Sequence, residues 1–183
     1  MTKFSNLKIS LLVTAILALP AAQAATVSKD DYAAGKTRIS AAYKADKSAC
    51  SSMKSNAKDV CVEEAKAKEK VERAELEYSY TGKPGDQTKL REVKAKTAYA
   101  VAKEKCDDRS GNDKDVCRKE AKAVETKALV DAKMAKDVAE TRKDGAQDKM
   151  DADYKVAVEK CDALTGDAKA SCITSAKAKF RKT

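Results

Sequence analysis

The sequence predicts an all-α chain of three antiparallel helical hairpins, each pinned by a disulfide, elongated and coiled-coil-like with alanine-rich seams. Three observations carry this: a motif that occurs three times, a cysteine pair at fixed spacing in each copy, and turn-forming residues midway between the paired cysteines.

The repeat comes first, because a fixed period outranks any local signal. Tyr43 precedes Cys50, Tyr99 precedes Cys106 and Tyr154 precedes Cys161 at the same interval, and the first cysteines recur after 56 and then 55 residues. After ten intervening residues stands a second cysteine in each copy, Cys61, Cys117 and Cys172, followed by Ala65-Lys66-Ala67, Ala121-Lys122-Ala123 and Ala176-Lys177-Ala178.

Between the cysteines lie Ser55-Asn56, Gly111-Asn112 and Gly166-Asp167. Glycine suits the left-handed residue that ends a helix, and Asn or Asp suits the cap that starts the next. Asp59 and Asp115 then fall in the first turn, where the helix dipole favours an acid. Each copy thus reads as helix, tight turn, helix. Geometry selects the pairing: residues eleven apart on one helix are separated by about 16 Å, and a disulfide tolerates Cα atoms only to about 7 Å. Reversal at the midpoint pairs Cys50 with Cys61, Cys106 with Cys117 and Cys161 with Cys172. The competing arrangement keeps each cysteine pair on one unbroken helix bridged twice to a neighbour, as in twin-cysteine coiled-coil-helix proteins; Gly111 and Gly166 in mid-helix weigh against it.

The staples answer a composition that builds only a thin core. After Ala24 the large aliphatic and aromatic side chains besides Val, Met and Tyr are Leu76, Leu90, Leu129, Leu164, Ile39, Ile173 and Phe180. Alanine forms helices well but buries little area, whereas a buried Leu or Phe contributes about 1.5 to 3 kcal/mol. Helical spacing marks the seams: Tyr32, Ile39, Tyr43, Cys50 and Met53; Ala95, Tyr99, Ala102 and Cys106; Tyr154, Ala157, Cys161 and Leu164. On the return helices, Val60, Ala67, Val71, Ala74 and Tyr78 form one stripe, and Cys117, Ala121, Val124, Ala128, Ala135 and Val138 another. The same spacing makes the repeated tyrosines core-edge packing groups rather than ligand contacts. Glu64 with Lys68 and Glu69 with Arg73 have the i,i+4 order that supports exposed faces.

Boundaries follow from the helix breakers. Thr81-Gly82-Lys83-Pro84-Gly85 ends a helix. The later connection has only Gly145, which costs about 1 kcal/mol, so a single rod from Asp113 to Thr165, about 80 Å long, is open to the chain. The repeats cover about 29–80, 88–140 and 146–183.

Residues 1–24 have the pattern of an export signal. Lys3 and Lys8 precede the apolar run Ile9 to Leu19, and Pro20-Ala21-Ala22-Gln23-Ala24 closes with a small-x-small site that places cleavage after Ala24. The run is short of the roughly 20 residues a permanent anchor needs, which disfavours an uncleaved membrane anchor. The first thiol, Cys50, is far from the position at which a lipoprotein is acylated. A soluble periplasmic chain over 25–183, without a transmembrane anchor, is the expectation, and that oxidising compartment preserves disulfides.

The chemistry-bearing patterns are few. There is no histidine, which removes Ser-His-Asp and Cys-His catalysis, histidine zinc sites and Cys-x-x-Cys-His haem attachment. No phosphate-binding glycine loop or nucleophile elbow occurs. The expectation is a non-enzyme with no cofactor and no metal, since a cysteine metal site requires reduced thiols.

In its alanine-lysine helices and triple Tyr-Cys-Cys repeat, carried best by Lys58-Asp59-Val60-Cys61 and Lys114-Asp115-Val116-Cys117, the chain resembles exported helical repeat proteins of beta-proteobacteria labelled TolA-like. The resemblance spans essentially all of 25–183. It implies an exported helical protein and transfers no functional residue; no counterpart of the membrane anchor or terminal globular domain of TolA itself is expected.

Two functions fit. One is a periplasmic scaffold that contacts envelope proteins or self-associates. The other is a basic module for an anionic envelope polymer such as lipopolysaccharide: loss of Lys3 and Lys8 lowers the formal charge from +9 only to +7, and the chain ends in Lys177-Ala178-Lys179-Phe180-Arg181-Lys182. Nucleic acid fits least after export. The 37% of charged residues have interleaved signs, which reads as solvated helix faces before it reads as a polyanion stripe.

Overall fold

A computed structural model describes residues 27–182, so the export signal expected over 1–24 lies outside the described residues. Five helices follow one another: α1 (Lys29–Ala49), α2 (Ser55–Thr81), α3 (Pro84–Lys105), α4 (Gly111–Cys161) and α5 (Gly166–Lys179). No strand occurs among the described residues. Each helix packs chiefly on its neighbours in the chain, so α1 to α4 form a serial antiparallel array and α5 folds back on the end of α4.

Local chemistry explains the boundaries. Ser28 caps α1, its hydroxyl accepting from the Asp31 amide at 3.0 Å, with Asp30 and Asp31 in the first turn. Gly82, at φ 61°, closes α2 in the left-handed conformation that glycine tolerates without strain, and Pro84 opens α3 where its missing N–H is no loss. The expected break at Thr81–Gly85 is therefore present. At Gly145 the helix runs straight through, and α4 is one rod of 51 residues, about 76 Å long. One helix thus serves as the return arm of the second hairpin and the outgoing arm of the third, so no loop separates the second and third repeats.

The core is as thin as the composition implies. Its members are small: Ile39, Ala65, Ala95, Ala132, Ala176 and the three first cysteines, which are the largest fully buried side chains. Backbones approach where side chains are missing; a Cβ on Gly35 would stand 2.8 Å from Leu76 Cδ2, so this glycine lets α1 close on α2. Interhelical ion pairs border the seams, Lys68 with Asp46 at 2.8 Å, Lys94 with Glu75 at 2.7 Å and Lys105 with Glu64 at 2.7 Å. Of the two i,i+4 pairs expected, Glu69 with Arg73 forms at 2.9 Å. Glu64 and Lys68 do not pair with each other, because each reaches a partner on an adjacent helix that one-dimensional spacing does not show.

The seam stripes hold in outline and fail at particular residues. Met53 and Leu164 lie beyond the helix ends and are exposed. Val124 and Val138, placed on the buried stripe of α4, stand 65% and 48% exposed, while Glu125 and Ala132 are buried in their place. The physical reason is that, among the described residues, α4 packs chiefly on α3 along this stretch, and a single alanine-lined neighbour covers a narrower strip than the periodicity marks out.

Candidate functional site

The three cysteine turns are built alike. Cys50–Cys61, Cys106–Cys117 and Cys161–Cys172 are bonded, with Cα atoms 5.6, 5.7 and 5.7 Å apart. The pairing expected from reversal at the midpoint is the one present, and the twin-cysteine arrangement is not. In each copy the chain tightens after the first cysteine, whose carbonyl accepts from the amide three residues on: Met53 at 3.1 Å, Arg109 at 3.1 Å and Leu164 at 3.0 Å. An extended residue follows, Lys54, Ser110 or Thr165, with φ of −128°, −130° and −128°. Next comes a left-handed residue, Ser55, Gly111 or Gly166, at φ 52°, 54° and 56°.

This corrects three details of the expected turn. The left-handed residue starts the return helix rather than ending the outgoing one, because the outgoing helix already closes on the cysteine carbonyl. Asn56 is not a cap either; its side-chain amide donates to the Glu104 carbonyl at 2.9 Å, tying the first cysteine turn to the end of α3. With α2 beginning at Ser55, no acid lies in its first turn, and in α4 that acid is Asp113 rather than Asp115.

A repeated ion pair across the turn was missed by spacing arguments. Lys114 meets Asp107 at 3.2 Å and, one repeat later, Lys169 meets Asp162 at 2.9 Å. Arg118 adds a second contact to Asp107 at 2.6 Å. Hydrogen bonding from Lys114, then from Arg118, holds the Asp107 carboxyl below the usual carboxylate range against a smaller opposing effect of desolvation. The signal lay in Cys106-Asp107 and Cys161-Asp162, each followed seven residues after the acid by a lysine; in the first copy Ser51 stands where the acid would be.

The tyrosines stay at helix edges. Tyr99 lies under Lys122, whose ammonium is 4.9 Å from the ring centre, and Tyr154 meets Phe180 edge-on at 6.1 Å. Tyr32 stacks on Tyr80 at 4.4 Å and donates to Glu77, which raises the phenol pKa.

Two features remain that a partner could use. An open trough of about 720 Å³ runs along the α3–α4 seam over Ala98, Ala102, Val124 and Ala128, with Arg91 and Asp131 at its edges. Helix α4 also carries most of the exposed large apolar side chains: of the eight among the described residues, six are Val116, Val130, Met134, Val138, Val156 and the trough-lining Val124. Among the described residues no group of three or more His, Cys, Asp or Glu is placed to hold a metal ion, and no helix is long and apolar enough to cross a membrane. No family model, no curated protein and no solved structure matches the chain.

Proposed function

We propose that the chain is a non-enzymatic scaffold of the cell envelope, exported to the periplasm, that works through protein–protein contact. The observation that carries this reading is the concentration of exposed apolar side chains on one helix of a frame otherwise faced with charged side chains, some of them paired between helices. Three disulfides suit such a frame to an oxidising compartment, where they persist. Capture from periplasmic extract by the immobilised oxidised protein tests it: a defined envelope protein or the chain itself is retained, and Met134→Glu releases it. A strictly monomeric protein that retains nothing sinks the reading.

A basic module for an anionic envelope polymer is the second reading, supported by Lys177, Lys179 and Arg181, exposed together at the C-terminal end. Its mark is binding to lipopolysaccharide that falls steeply as salt rises.

A further inference from the structure

We infer that the apolar face of α4 is the contact surface for a second copy of this chain, the two α4 helices lying antiparallel about their common midpoint. The inference rests on the scaffold reading and names its partner.

At about 100° per residue, Val116, Val130, Met134, Val138 and Val156 fall within one strip of about 80°, on the side of α4 away from the α3 seam. A soluble helix covers such a strip by packing, and α3 and α5, the helices packed on α4, occupy its other side.

The strip is complementary to itself. The midpoint of α4 is Lys136, and an antiparallel partner sharing that midpoint lies beside the full length of the helix. In this register Val116 faces Val156 of the other copy and Met134 faces Val138, so apolar groups meet at both ends and at the centre. In antiparallel helices, side chains on the same edge of the strip oppose one another. Asp131 then comes within one residue, about 1.5 Å along the axis, of the level of Arg142, and Asp113 of the level of Lys160, and none of the four has an ion-pair partner in its own chain among the described residues. All four are exposed.

The area is sufficient. A strip about 70 Å long and about 10 Å wide buries about 700 Å² on each copy, or about 1,400 Å² in total, within the range of stable specific interfaces. Among the described residues no other helix matches α4 along its 51 residues.

Charge exchange supplies the test. Asp131 and Arg142 are eleven residues apart on one rigid helix, about 16 Å, too far to meet within a chain. The purified oxidised protein is expected to sediment as a dimer, Asp131→Arg or Arg142→Asp to weaken the dimer by about tenfold, and the double exchange to restore it. Met134→Glu should leave the helical signal unchanged and yield monomer. A protein that stays monomeric at high micromolar concentration overturns the inference, as does a dimer indifferent to Met134→Glu or one that the double exchange fails to rescue. If the monomeric protein still retains an envelope protein through α4, the second-copy assignment falls while the scaffold reading stands; if it retains nothing, both fall.

Discussion

At the scale of single residues, the three cysteine turns differ at their left-handed position, where two copies have glycine and the first has Ser55. A non-glycine residue held there costs about 1 to 3 kcal/mol, and glycine returns part of that as chain entropy. Ser55→Gly is therefore expected to stabilise the protein by about 1 kcal/mol, read as a shift in the denaturation midpoint. Asp107 gives a pH signature of known sign. Its folded-state pKa is lowered, so its contribution is complete above about pH 4, where the unfolded carboxyl is ionised, and is lost as pH falls through the lowered folded value. Wild type and Asp107→Asn should accordingly differ in thermal midpoint at neutral pH and converge in strong acid. The repeat showed where the thiols pair, since symmetry about a turn is a one-dimensional property. It did not show that Glu64 and Lys68 choose partners on other helices, because those choices depend on how neighbouring helices sit against one another.

At the scale of elements, the hairpins are unequal. The pair α1 and α2 is joined by Ile39, Gly35 against Leu76, and the hydrogen bond from Arg73 to Ser40 at 2.9 Å, and α3 backs α2 from another side. Helix α5 has 14 residues, Ala176 as its buried side chain, and α4 as its neighbour. Closure of so short a loop is worth about 3 kcal/mol in the chain-entropy model, a larger share of the stability of α5 than of the others. Replacing Cys161 and Cys172 by serine should release α5, seen as loss of amide-exchange protection over 166–179 with α1 to α3 still protected. Helix existence, hairpin pairing and the break at Gly82 were all legible in spacing and turn chemistry. The uncovered side of α4 was not, because periodicity marks which side chains could be buried and not how wide a neighbour will cover them; Val124 and Val138 sit in that gap.

At the scale of the whole molecule, two cysteine turns lie at one end, linked by Asn56 and the Glu104 carbonyl. The start of α3 lies beside Ala135 to Lys143 of α4, so the rest of α4 continues past the array and carries the third hairpin away from it, where Lys182 holds Asp151 at 2.6 Å. Small-angle scattering should give a maximum dimension of at least about 75 Å, where a compact globule of this length would measure about 40 Å across. Because one unbroken helix joins the second and third hairpins, their azimuths are geared together. Inserting a single alanine beside Gly145 would swing the third hairpin by about 100° around the axis while advancing it only about 1.5 Å, leaving both hairpins internally intact. Helical phase along that neck, more than its length, therefore sets which way the distal tip points.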